Sequence, residues 1–447
     1  MTVASQSPAL PGLLNAIESM EIARGDLLGA AVLVADAAAC IFGAAASDAS
    51  FPVRDWARLQ PASPQACAWV FAALSNLLEM DAMHVASSVH PGTVVVPAAL
   101  AVALARGSTI DAFVRAVLRG TEAAIRLGRA TGGRHRQLYQ STSTCAGLGA
   151  ALACAQLMGL DRERQMDAMA NVTSTAGGLW AFVDEDTHTK QWHAGHAAQA
   201  AVACAELSSC GIKGPRDILH SRRGFLAVLC PDAQPQELVR EVERWQVHDI
   251  AYKPWPCPRP THAAITASLH AREGLGTARI QGVRLDTFGM AVDLCNRPQP
   301  ATPHEARFSL QHCVAAALAG STASIDFDSF GPEAIASSRG LAGLVSVHAC
   351  ADMTAAYPAR SRARVTVELA DGRHIVADTE HALGDPELPL DVAAVRLKHA
   401  ALVRDPDARK AVAAAGLLDL QALSQLGRAF QSSGLRVPRI HAPMETP

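Results

Sequence analysis

From residue 13 to residue 229 one pattern recurs: runs rich in alanine and leucine, cut by Gly, Pro, Asn or Asp. Alanine is the best helix former, and its small side chain lets helices approach closely. The runs at 97–105, 110–127, 147–158 and 194–208 are therefore predicted helices. Thr93 and Asp161 are residue types that cap helix N-termini, and they are the predicted starts of two of these elements. Hydrophobic residues make up 49% of the chain and aromatic ones only 4%, so the core must be filled mainly by small aliphatic side chains.

The pattern changes near residue 252. Residues 252–260 carry four prolines and cannot be helix interior; the segment reads as a rigid extended connector. Beyond it, 262–273 is helical and 280–288 alternates with β-branched residues. Residues 363–378 read as two strands around Asp371-Gly372, a strong hairpin signal. Helical pattern returns over 390–430, and the tail from Val437 is Pro-rich and expected to fray. The expected fold is mainly α with a smaller α+β domain. A large helical domain, 1–268, is completed by 396–447, and 269–395 forms the smaller α/β domain.

Several function classes are argued against. The formal charge is −3 and no basic block is present, so a nucleic-acid partner is not expected. The most apolar stretch, 27–46, is interrupted by Asp36 and reads as a buried helix rather than a membrane span. Residues 1–12 show no leader pattern. The eleven cysteines form no CxxC pair, and Cys40, Cys154 and Cys204 lie in apolar runs. They read as structural free thiols in a reducing, cytoplasmic setting.

Four clusters place polar residues beside Gly or Pro. The first joins Glu79, Asp81 and His84 to a His90-Pro91-Gly92 turn, which would aim His90 and fresh backbone N–H groups at one place, a ready anion site. The bland alternative is a capping histidine. The second, Tyr139 and Gln140 followed by Thr142 and Thr144, is a hydroxyl-rich turn suited to carboxylate binding or to simple N-capping. In the third, Lys190 stands in an apolar helical approach, where a buried lysine would have a lowered pKa and could act as a base. His193 and His196 in the same cluster have the i, i+3 spacing of a metal pair. No acidic or Cys partner lies at ligand spacing, so no metal is expected. The fourth, 253–262, uses its prolines to fix the directions of Lys253 and Arg259, as recognition of a di- or tricarboxylate requires.

Together these clusters resemble the MmgE/PrpD family, which includes 2-methylcitrate dehydratase, cis-aconitate decarboxylase and iminodisuccinate epimerase. The matching blocks are His90-Pro91-Gly92 with the apolar run after it, 142–147 (TSTCAG), 190–195 (KQWHAG) and 253–262 (KPWPCPRPTH). They continue at 296–298 (NRP), 305–310 (EARFSL) and 384–390 (GDPELPL), seven blocks in the family's order. The resemblance implies a helical domain built from both chain ends, a smaller α/β domain, a homodimer, and no cofactor. It also implies matching roles for His90, Lys190 and Lys253. Departures from the family pattern are as informative. Glu79 stands where its dehydratases and decarboxylases typically carry Asp, and Asp81-Ala82-Met83 replaces their Asp-Asp-Thr. Gln140 replaces their His, and His312 replaces a Tyr.

The carboxylate-holding half of the site is thus expected intact, while the residues that would serve a leaving group are replaced. That favours a cofactor-free epimerase, which needs only two bases and a stabilised carbanion beside a carboxylate. Lys253, Tyr139 and Lys190 could supply bases. His90, Arg259, Thr142, Thr144, Gln140, His193, Glu79, Asp81 and His312 would hold a small polycarboxylate, with iminodisuccinate the named candidate. The rival readings are a hydro-lyase of the 2-methylcitrate type, with Glu79 and His312 substituting for the usual residues, and a catalytically silent carboxylate binder.

Overall fold

Small side chains set the helix spacing in the first part of the chain. The structure, a computed structural model, describes residues 9–185, 187–320 and 326–438. The chain divides into two units: Met1–Phe182, Thr187–Ile250 and Arg396–Pro447 form the first, and Val183–Asp186 with Ala251–Val395 the second. The division falls at Ile250/Ala251, earlier than the 268/269 boundary expected from the sequence. The proline connector and the helix after it belong to the second unit, where Trp255, Cys257 and Ile265 pack with Cys313 and Phe330.

The principal helices of the first unit are α1 (Arg24–Ala45), α2 (Pro64–Ser75), α3 (Pro91–Arg106), α4 (Ile110–Ala130), α5 (Ser141–Leu157), α6 (Arg162–Ser174) and α7 (Thr189–Ser209). Helix α3 is buried from Pro91 to Ala105. It starts at Pro91 with His90 as N-cap, two residues earlier than Thr93, because proline suits the first helical position. Asp161 does cap α6, accepting the Arg164 N–H at 2.9 Å. Where α4 crosses α5, a Cβ on Gly149 would lie 2.0 Å from the Gly120 carbonyl oxygen. Only glycine permits that approach.

In the second unit, α8 (His262–Arg272) and α9 (Leu310–Ala319) accompany β1 (Ile280–Thr287), β2 (Val345–Ala349), β3 (Ala363–Leu369) and β4 (His374–Thr379). Strand order is β2-β1-β3-β4, with β1 and β2 parallel and the other pairs antiparallel. The Asp371-Gly372 turn joins β3 to β4 as expected, with Gly372 at φ +83°. Leu285, Val365 and Val367 pack with Ala264, Ala267, Leu310 and Val314 to form the core. Strand β2 was not expected: only Val345 of its five residues is buried, so no alternation marks it.

Three helices follow: α10 (Val392–Leu402), α11 (Pro406–Gly416) and α12 (Ala422–Ser432). The Pro-rich tail lies mostly outside the described residues. Phe430 of α12 stacks on Phe42 of α1 at 4.3 Å and meets Phe71 of α2 at 4.7 Å. Each buried phenylalanine stabilises the unit by about 1.5–3 kcal/mol. Helix α1 is long and apolar enough to cross a membrane, yet most of its 22 residues are buried within the fold. Its one acidic residue past the first turn, Asp36, is 1% exposed and is met by Lys398 of α10 at 2.5 Å. Lys398 also donates to the Met80 carbonyl at 2.8 Å. The chain's return thereby fastens the 79–81 segment to α1.

Burial pushes the Asp36 carboxyl up, but the charges of Lys398 and His399 and their hydrogen bonds outweigh it and hold it below the usual value. A carboxyl lowered by folding contributes stability above its unfolded pKa, about 4, and loses it as the pH falls through the folded value. Asp36→Asn should therefore cost about 3–5 kcal/mol at pH 7, since it strands a buried ammonium. It should also flatten the acid side of the stability profile. Urea titrations from pH 7 down to pH 3 check this; parallel profiles for wild type and variant would contradict it.

Candidate active site

Helices α2, α4 and α6 are capped by Ser63, Thr109 and Asp161, each accepting a first-turn N–H. Helices α3, α5 and α7 are not: their N-cap residues His90, Gln140 and His188 make no side-chain cap hydrogen bond. These three ends lie side by side. The His90 backbone N–H donates to Thr142 Oγ1 at 3.1 Å, joining α3 to α5. His193 Nδ1 lies 3.0 Å from Gln140 Oε1, joining α5 to α7. Uncapped first-turn N–H groups with aligned helix dipoles favour an anion.

Two carboxylates of the 79–81 segment tie Lys190 and His90 to this place. Glu79, in the left-handed region at φ +58°, forms an ion pair with Lys190. Asp81 accepts from Thr93 Oγ1 at 2.7 Å and meets His90 Nδ1 at 2.9 Å. Lys190 and His193 stand three apart on α7 and share a face. Contacts and short chain links together close a circuit: Lys190, Glu79, Asp81, His90, Thr142, Gln140, His193, and back along α7. Seven residues singled out from the sequence are brought together in the first unit. Lys190 was expected as a base in an apolar setting, but Glu79 supplies it with a counter-charge. One of the ammonium's three donors is committed there, leaving two for a ligand.

Thr144 and Tyr139 gather elsewhere, on His135. Its Nε2 lies 2.8 Å from Thr144 Oγ1, its Nδ1 lies 2.9 Å from the Leu229 carbonyl, and its ring stacks on Tyr139 at 4.9 Å. Burial lowers the His135 pKa. The carbonyl fixes the proton on Nδ1, so Nε2 accepts from Thr144. Sequence reasoning missed this histidine, because its neighbours Arg134 and Arg136 give the segment the look of a solvated charge run. It also missed Lys398, whose partner Asp36 is 362 positions away.

Lys253, Arg259 and His312 lie in the second unit. Lys253 is buried. Arg259 is committed to protein groups: it forms an ion pair with Asp385, donates to the Leu383 carbonyl at 3.1 Å and meets His262 Nδ1 at 3.0 Å. Gly384, at φ +93°, is held where a Cβ would lie 1.9 Å from the Tyr252 carbonyl oxygen, and it accepts the Tyr252 N–H at 2.9 Å. The blocks at 252–262 and 382–388 thus clip together. The carboxylate Arg259 holds in this structure is Asp385's, and the pair fixes the connector. His312 is likewise engaged on both ring nitrogens, with the Ser329 carbonyl at 2.8 Å and Ser338 Oγ at 3.0 Å, and burial lowers its pKa. Among the described residues no group of three His, Cys, Asp or Glu side chains is placed to hold a metal. His196 stacks instead on Trp192 at 5.7 Å.

Two family models match the chain: the MmgE/PrpD N-terminal domain over residues 15–238 and the MmgE/PrpD C-terminal domain over 255–418. Similar curated proteins include the cis-aconitate decarboxylase of Homo sapiens, 30% identical over 190 residues, or 40% of this chain and 38% of that protein. The cis-aconitate decarboxylase of Mus musculus is 29% identical over 40% of this chain and 38% of its own length. The cis-aconitate decarboxylase-like protein oryM of Aspergillus oryzae is 28% identical over 46% of each chain. Each aligned stretch spans less than half of the relative's length.

The clip predicts how Arg259 fails. Arg259→Gln strands the buried Asp385 carboxylate and should cost about 3–5 kcal/mol of stability, while Arg259→Met with Asp385→Leu should recover part of that loss. Urea denaturation of the two variants checks it. Unchanged stability with weakened carboxylate binding would return Arg259 to the ligand.

Proposed function

Because the chain belongs to the MmgE/PrpD family, we propose that it is an enzyme acting at the carbon beside a carboxylate of a small di- or tricarboxylate. The reaction we assign is epimerisation, of the kind iminodisuccinate would undergo. The observation that carries the proposal is the circuit in the first unit, where three uncapped helix ends and Lys190 offer N–H donors to an anion. A carboxylate docked there would be neutralised. The carbanion formed beside it would be stabilised as an enolate by the same fixed donors.

Epimerisation breaks and remakes one C–H bond and expels nothing. Gln140 supports this reading: it fills a position where the family's lyases carry His, and its amide, bonded to His193, cannot hand a proton to a leaving group. Met83 is also inert. Lys253 and Tyr139 are the proposed proton-transfer groups, while Lys190, His90 and Thr142 hold the carboxylate. A lyase is the second reading, and the decarboxylase names of the relatives favour it.

Substrate incubated in D₂O should gain deuterium at the carbon beside the carboxylate and interconvert between stereoisomers, with no loss of water or carbon dioxide. Replacing Lys253 by Met or Tyr139 by Phe should cost on the order of 10²-fold or more. Nuclear magnetic resonance of iminodisuccinate and a panel of di- and tricarboxylates provides the readout. Release of water or carbon dioxide at ordinary enzyme rates would replace the epimerase by a lyase, and no exchange from any substrate would leave a carboxylate-binding protein.

A further inference from the structure

We infer that His193 is a proton acceptor of the proposed reaction, held by Gln140 as the neutral tautomer whose Nε2 carries the lone pair. The inference rests on the reading of the circuit as a carboxylate site. Gln140 Oε1 is an acceptor with no proton to give, and it lies 3.0 Å from His193 Nδ1. With the amide oxygen turned to the ring, Nδ1 is the N–H and Nε2 is left as the basic atom.

The ring is also held from other sides. Phe182 meets it edge-on at 5.6 Å and 78°. Gly178, at φ +135°, would place a Cβ 3.4 Å from Nδ1 and 2.8 Å from Ser143 Oγ, so its lack of a side chain makes room for the histidine–glutamine pair. Half burial among such groups disfavours the charged form, and His196 adds to the effect, so the imidazole's pKa is lowered. The charged neighbours are few. On α7 itself the titratable groups within one turn of it are Lys190, paired with Glu79, and His196. Helix α5 presents Gln140 and Ser143, and 178–182 presents Phe182, all uncharged. A neutral imidazole beside a docked carboxylate, three residues from the ammonium that holds it, is placed to take the proton from the adjacent carbon.

The step balances. The C–H bond breaks as Nε2–H forms, and the electron pair stays on the enolate that Lys190 and the helix N–H groups stabilise. With His193 as one base, only one of the two groups proposed above, Lys253 or Tyr139, need return a proton to the opposite face to complete epimerisation; return by the imidazolium, after exchange with solvent, leaves deuterium without inversion. Gln140 acts as the positioning residue.

The test uses the full chain labelled with ¹⁵N-histidine, read by a long-range ¹H–¹⁵N spectrum and by deuterium exchange of the carboxylate panel. His193→Asn keeps a donor to Gln140 Oε1 and identifies the His193 signals by their loss. Wild type should show a neutral His193 at pH 7 with Nδ1 protonated and Nε2 bare. His193→Asn, with an unchanged melting temperature, should exchange on the order of 10²-fold more slowly. Gln140→Glu sets a carboxylate against Nδ1–H and should raise the His193 pKa by about one unit or more, moving the acid limb of the exchange profile to higher pH. A bare Nδ1, a charged ring at pH 7, or exchange in His193→Asn within about twofold of wild type would overturn the assignment. Should wild type itself exchange nothing, the proposed function falls and takes this step with it. Exchange that persists in His193→Asn removes the step alone.

Discussion

A bundle filled with alanine has few polar side chains to spare, so each charge it buries must find its partner within the fold. Asp36 finds Lys398, Glu122 finds Arg126 at 2.7 Å, Glu79 finds Lys190 and Asp81 finds His90. The last two pairs differ from the others in their setting. They stand against three helix ends whose N–H groups have no side-chain caps, so their donors are only partly used. The rest of the candidate site depends on that incomplete satisfaction.

Stability and site geometry meet at Met80. Its carbonyl takes a hydrogen bond from Lys398, and the residues on either side of it hold Lys190 and His90. The left-handed backbone at Glu79 is a conformation that costs about 1–3 kcal/mol outside glycine, and it persists because its neighbours are anchored. Helix α10 therefore serves the site without being identified as part of it: it fixes a carbonyl, which fixes two carboxylates, which hold Lys190 and His90. In the second unit the clip between 252–262 and 382–388 does comparable work for the connector that carries Lys253.

Much of the fold was legible because local pattern encodes it. The alanine runs gave the helices, four prolines marked the connector, and Asp371-Gly372 marked the hairpin. Strand β2 was illegible because four of its five residues are not buried, so no period appears. The site was legible as a set of residues but not as a set of contacts. Lys190 and Glu79 are 111 positions apart and Arg259 and Asp385 are 126 apart, and nothing in either neighbourhood names the other. Fixed prolines show that Arg259 points somewhere definite, which is why it read as a substrate ligand. Only the fold shows that its target is Asp385.

The central claim is that a substrate carboxylate is received by the uncapped ends of α3, α5 and α7 beside Lys190. A crystal structure of the protein with tricarballylate, a tricarboxylate with no hydroxyl to lose, tests it most directly. The account predicts one carboxylate within hydrogen-bond distance of Lys190 Nζ and of first-turn N–H groups from at least one of these helices, with the Glu79 and Asp81 pairs kept. A carboxylate bound away from all three helix ends, or one that displaces Asp385 to reach Arg259, would contradict it.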